Sequence, residues 1–195
     1  MNYPIYLRFK LIAIANQIYV TDVNGQSLGY VKQKLLKLKE QVTVFRDDSQ
    51  GEILYEIKAD RVIDFSARYN FTDSSGSHLG SMGRRGMRSI WKAFYEIFDE
   101  HGNNVFIIRE EKGWIKVIDG VIGELPLIGL LTGFFLNPSY VVSTPDGRPV
   151  ARIQKEPAFF EGKFRLENLE SLSENDESKI LLSLMMMTLL ERHRG

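Results

Sequence analysis

The sequence predicts a mainly β protein: a closed antiparallel barrel of about twelve strands around its own apolar C-terminal helix. Three observations carry that prediction. One turn motif recurs at near-constant spacing, short alternating apolar runs flank the turns, and the last stretch of the chain is apolar almost all round. With 195 residues the chain suits a single domain, 1–195, long enough for a substantial core.

The motif is Asp-x-x-Gly. It appears as Asp22–Gly25, Asp48–Gly51, Asp73–Gly76 and Asp99–Gly102, with glycines 26, 25 and 26 residues apart, and Thr144-Pro145-Asp146-Gly147 is a fifth relative 45 residues on. Asp or Thr at the first position accepts hydrogen bonds from the turn backbone, and Gly at the fourth takes the positive φ of a bulged hairpin. Pro145 presets φ in the fifth turn.

The flanks read as strands, beginning near Tyr6. Ile18 and Val20 precede the first turn on one face, Tyr69 and Phe71 the third, Tyr95 and Ile97 the fourth. This period-2 alternation marks strands with one buried side. Apolar runs follow each turn, starting at Leu28, Ile53, Val105 and Val150. The chain is therefore a series of hairpins.

The sheet needs a cover, and Ser178–Arg192 supplies it. From Ile180 to Leu190, nine of eleven residues are large and apolar. A helix apolar on all sides lies in a membrane or is buried on every side. Fifteen residues rise about 22 Å, short of the roughly 30 Å of a bilayer core, so the interior of the barrel is the better fit. Asp176 and Glu177 at the helix start and Arg192 and Arg194 at its end suit the helix dipole.

Composition removes several classes of function. Lys+Arg and Asp+Glu balance at 25 each, which argues against a dedicated nucleic-acid binder. No cysteine is present, so thiolate catalysis, cysteine–zinc sites, disulfides and palmitoylation are excluded. The N-terminal stretch is interrupted by Arg8 and Lys10 and is not a signal peptide. His78, His101 and His193 form no metal-ligand spacing, and no Gly-x-Ser-x-Gly elbow occurs. No enzyme, metal or cofactor is expected.

A hairpin series ending in an apolar helix resembles the tubby-like superfamily, which includes the tubby C-terminal domain, the phospholipid scramblases and the LURP-one-related proteins. Tyr30–Leu38 (YVKQKLLKL) resembles the opening segment of the LURP-one-related proteins. Tyr140–Lys155 (YVVSTPDGRPVARIQK) resembles the end of a scramblase domain. The resemblance implies a twelve-stranded barrel around a hydrophobic helix. The scramblases' proline-rich N-terminal extension and lipidated cysteines have no counterpart here, and three residues follow the helix, so lipid scrambling is not expected.

Two basic groups are candidate anion sites. Gly80–Lys92 (GSMGRRGMRSIWK) offers Arg84, Arg85, Arg88 and Lys92 among glycines. Arginine forks match phosphate oxygens, and glycine lets backbone N–H groups approach an anion. It is not a P-loop, and a loop between strands is its plainer reading. Lys32 and Lys34 share one strand face, and Lys37 and Lys39 another, with a bulge or bend expected at Leu35-Leu36. The resemblance to tubby implies phosphoinositide head groups for these lysines; a solvated outer face or guarded edge is the alternative. Val121–Leu136 is apolar and reads as a covered hairpin or short capping helix, or else as a lip for a membrane or apolar ligand. The acidic run Glu167, Glu170, Glu174, Asp176 and Glu177 lacks an EF-hand order and reads as a solvated loop running into the helix.

The expected function is a non-catalytic binding domain for anionic phospholipid or phosphoinositide head groups, cytoplasmic and peripheral to a membrane. A protein-interaction scaffold and a carrier of an apolar ligand are the alternatives. The expected partners are an anionic membrane surface or a protein, not nucleic acid, with a monomeric barrel.

Overall fold

The computed structural model describes residues 1–12, 15–34, 41–61, 67–84, 94–111, 139–157 and 162–192. Twelve strands run in chain order: β1 (Ile5–Ile12), β2 (Ala15–Thr21), β3 (Ser27–Lys34), β4 (Gln41–Phe45), β5 (Ile53–Ala59) and β6 (Arg68–Asp73). They continue as β7 (His78–Arg84), β8 (Phe94–Phe98), β9 (Asn104–Glu110), β10 (Ser139–Ser143), β11 (Pro149–Glu156) and β12 (Gly162–Asn168). A helix, α1 (Glu174–Arg192), follows. Each strand pairs antiparallel with its chain neighbours, and β1 closes on β12. Such a meander returns antiparallel to its start only with an even number of strands, so twelve closes and leaves no open edge.

All five motif turns join an even strand to the next odd one, so they share one end of the barrel. Their shared chemistry is visible atom by atom. Asp73 Oδ1 accepts from the Ser75 and Ser77 backbone N–H groups, each at 2.9 Å, while Gly76 N–H donates to the Asp73 carbonyl at 3.0 Å. Asp22 and Asp99 repeat this arrangement. In the fifth turn Thr144 Oγ1 accepts from Arg148 N–H at 3.2 Å.

The second turn departs from the predicted register. It is built on Asp47, not Asp48: Ser49 N–H donates to Asp47 Oδ1 and Gln50 N–H to the Asp47 carbonyl. Gln50 holds the left-handed conformation at φ 59°, and Gly51 does not. The pair closing this hairpin, Arg46 and Glu52, spans two residues more than Asp22 and Gln26 do in the first. The longer loop moves the turn one residue toward the N-terminus. Adjacent aspartates made both registers chemically plausible.

Each of the five hairpins built on a motif turn carries a bulge in its second strand. The registers skip Leu28, Leu54, Leu79, Val105 and Val150 in turn. A bulge sharpens local twist, which a closed sheet needs. It also admits one extra apolar residue to the wall: Leu28, Leu79 and Val105 pack on the core, and Val150 belongs to it.

A twelve-stranded barrel encloses more space than wall side chains fill, and α1 fills it. Ile180 through Leu189 are all 3 % exposed or less, Ser183 and Thr188 included. The wall makes room for the helix at two glycines. A Cβ on Gly29 would lie 3.2 Å from the Met185 methyl. At Gly80, with φ +140°, a Cβ would lie 2.2 Å from the Phe98 carbonyl oxygen and 3.1 Å from the Lys179 side chain. Gly80 to Arg84 are thus strand, not the start of a loop; the backbone closeness at Gly80 is why that position carries no side chain.

The helix starts at Glu174, four residues before the expected Ser178. Ser173 caps it: its Oγ accepts from Asp176 N–H at 3.1 Å and donates to the Asp176 carboxylate at 2.8 Å. This reciprocal cap extends the helix through the acidic run. Glu177 is consequently buried, not solvated as expected. It lies 2.8 Å from the Met1 amino group and raises the Tyr3 phenol's pKa, an effect second only to burial.

Candidate anion-binding surface

The strand directions sort the charges. Odd strands run away from the turn end and even strands return to it, so the turns and the first turn of α1 lie together. That end holds Asp22, Asp47, Asp48, Glu52, Asp73, Asp99, Glu100, Asp146, Glu174, Asp176 and Glu177, against Arg46, Arg148 and Lys179. The opposite strand ends hold Lys10, Lys32, Lys34, Lys58, Arg61, Arg68, Arg84, Arg109, Lys155 and Lys163, against Asp60, Glu110, Glu111 and Glu156. Among the described residues of a chain of zero net charge, the charges are therefore segregated end to end. The helix dipole runs the other way, its positive N-terminus among the carboxylates.

The turn aspartates are held as anions. Hydrogen bonds from the Ser75 hydroxyl and the Ser77 backbone hold Asp73 below the usual carboxylate range. The Asn103 carboxamide does the same for Asp99. Burial works upward on Asp22, but the Asn2 carboxamide and the Gln26 and Asn24 backbone N–H groups outweigh it, and its pKa is also lowered.

Of the two predicted basic groups, the described members Lys32, Lys34 and Arg84 lie at this second end but not on one face. Lys32 is exposed on β3, and Lys34 is the last residue of that strand, paired with Ala15. Arg84 ends β7, four strands farther round. Its guanidinium lies 5.9 Å from the Tyr95 ring centroid. Arg85, Arg88 and Lys92, like Lys37, Lys39, the Leu35-Leu36 bend and Val121–Leu136, lie outside the described residues.

Around Lys32 the register assembles cations that lie far apart in the sequence. Lys10 pairs with Gln17 and Gln17 with Lys32, one row across β1, β2 and β3. In the next row Arg8 pairs with Tyr19 on one side and Lys163 on the other. The Lys10 ammonium lies 5.3 Å from the Tyr19 ring centroid, and the Lys163 ammonium 5.5 Å from that of Tyr6. The Tyr19 and Tyr30 rings lie 4.9 Å apart, tilted at 57° to one another. Burial, then the neighbouring Tyr19, pushes the Tyr30 phenol up to about 12, so it adds no negative charge.

Elsewhere on the wall, cations sit beside carboxylates: Lys58 with Glu56, Arg152 with Glu111, Lys163 with Glu156 and Arg165 with Glu167, at 2.7 to 3.1 Å. Strands β1, β2 and β3 contain no carboxylate at all. Among the described residues, Arg8 and Lys32 have no ion-pair partner.

The acidic run is occupied by the protein's own cations. Glu170 meets Arg148 at 2.8 Å, Asp176 meets Lys179 at 3.0 Å and Glu167 meets Arg165. Among the described residues no cluster of three or more His, Asp or Glu side chains could hold a metal ion, and no helix is long and apolar enough to cross a membrane.

Comparison with known proteins gives two findings. A family model described as LURP-one-related matches residues 28–167. An X-ray structure of a protein from Arabidopsis thaliana is similar at TM-score 0.49 and 16 % identity, covering 98 % of this chain and 92 % of that one. No curated protein matches.

Proposed function

Because the chain belongs to the LURP-one-related family of the tubby-like superfamily, we propose that it is a non-catalytic binding barrel for anionic phospholipid or phosphoinositide head groups, peripheral to a cytoplasmic membrane surface. The observation that carries this reading is the gathering of cations at the barrel end away from the acidic turns. That end meets a negative surface favourably while the turn end is repelled, which orients the barrel as well as attracting it. Arg84 and the adjoining Arg85, Arg88 and Lys92 are the first contacts, and Lys32 and Lys34, on a strand four places away round the barrel, are the second. Arginine suits the phosphate oxygens because its fork pairs with two at once.

Co-sedimentation with vesicles containing anionic lipid tests this. Binding at low salt should fall as salt rises, and an Arg84/Arg85/Arg88→Ala triple variant should lose most of it. Indifference of the wild-type protein to such vesicles at low salt removes the reading and favours a protein-interaction scaffold. A carrier of apolar molecules is the less favoured alternative, because Ile180 through Leu189 are all buried among the described residues.

A further inference from the structure

We infer that the turn end of the barrel is a docking surface for the opposite, cationic end of a second copy, so that the chain associates head to tail. The inference goes beyond the preceding reading and does not rest on it, since no lipid takes part.

The first support is where the exposed apolar side chains lie. Val23 stands in the first motif turn, Ile53 opens β5 and Leu169 follows β12, and each is 44 to 49 % exposed. All three belong to one half of the rim at the turn end, the half formed by β12 and by β1 through β5. Among the described residues, no large apolar side chain at the opposite strand ends is as exposed. One such residue is ordinary on a protein surface. Three on one half-rim mark a face that gains by being covered.

The second support is charge complementarity. The same end presents the exposed carboxylates Asp48, Glu100 and Glu174, and the opposite end the exposed cations Lys32, Arg61 and Arg109. Long cationic side chains lay their methylene stems on apolar surface and keep the charged head free to reach a carboxylate. An end that mixes exposed aliphatic groups with carboxylates therefore suits lysine and arginine on both counts, and the far end of the same chain carries them.

The third support is the overall balance of charge. The net charge is zero and the isoelectric point is near 6.9. Two copies near neutral pH have no overall repulsion to overcome, so their complementary ends govern the approach. The two surfaces in contact differ, so a pair keeps one free end of each kind and growth continues past it. High salt screens the contact and leaves the single barrel.

Sedimentation velocity of the full chain in lipid-free buffer at neutral pH tests this. At low salt the mean mass of the wild-type protein should rise with concentration and pass that of a dimer, and at high salt it should return to that of one chain. An Asp48→Lys/Glu100→Lys variant and an Arg61→Glu/Arg109→Glu variant should each associate at least about tenfold more weakly, with thermal midpoints like the wild type's. The milder Asp48→Asn/Glu100→Gln variant should fall between. The two charge-reversed variants still hold one intact end each, of opposite kinds, so mixing them should restore association and stop it at a pair. Four results overturn the inference: a wild-type protein that stays single at low salt over the whole concentration range, a dimer that neither grows nor responds to salt, a folded charge-reversed variant that associates as the wild type does, or a mixture of the two that stays single. Association in this buffer without binding to anionic vesicles leaves the docking surface standing and removes the membrane reading alone.

Discussion

At the scale of single residues, the turns separate what a glycine is needed for from what an aspartate does. Gln50 holds φ 59° where the other motif turns use glycine. A side chain there strains the backbone by about 1–2 kcal/mol, and the unfolded-state entropy of glycine returns part of the gain. Gln50→Gly should stabilise the protein by about 0.5 kcal/mol, read as a rise in the urea midpoint. A fall would mean that the Gln50 conformation is not strained. The aspartates act through charge. Asp73 has a folded pKa below its unfolded value, so its contribution is full above about pH 4 and is lost as pH falls through the folded value. Asp73→Asn keeps an acceptor oxygen but cannot titrate. Its urea midpoint should therefore decline less than the wild type's between pH 5 and pH 3, and parallel declines would contradict the assignment. These turns were legible beforehand because their chemistry lies within five residues. The second slipped by one because Asp47 and Asp48 offer the same carboxylate.

At the scale of the element, α1 is held by burial rather than by an amphipathic stripe. Leu184 is wholly buried, and Leu184→Ala should cost about 3 kcal/mol. Ser183 is equally buried, yet among the described residues its Oγ has no hydrogen-bond partner. Thr188 solves the same problem by donating to the Leu184 carbonyl at 2.8 Å. An unmet buried hydroxyl is a penalty, and alanine is the better helix former, so Ser183→Ala should stabilise by about 1 kcal/mol. Thermal unfolding of the two variants should move in opposite directions, and destabilisation by Ser183→Ala would show that the hydroxyl has a role. The existence of this helix was readable from composition, because nothing but a closed interior accepts so short a segment that is apolar all round. Its start was not, because Ser173 and Asp176 act as a cap only when taken together, and the acidic run looked solvated on its own.

At the scale of the whole molecule, the basic surfaces were only half legible. Lys32, Lys34 and Arg84 stand out in the sequence because cations cluster locally around them. Arg8 and Lys10 do not, and they join Lys32 only through the pairing of β1 with β2 and β2 with β3. The charge polarity is likewise invisible in a composition of 25 against 25, since it depends on which strands run in which direction. It has a direct consequence for behaviour in solution. A protein of zero net charge with evenly mixed charges binds neither kind of ion exchanger near its isoelectric point. One whose carboxylates and cations occupy opposite ends binds both at low salt, because each resin sees the end it attracts within about a Debye length. Near neutral pH this chain should be retained on anion-exchange and on cation-exchange media alike. An Arg84/Arg85/Arg88→Ala variant should lose retention on the cation exchanger and gain it on the anion exchanger, by more than a variant losing three cations spread over both ends. If the wild-type protein passes through both media at low salt, its charges are not segregated in solution as the fold places them, and the orientation argument for binding an anionic surface fails with them.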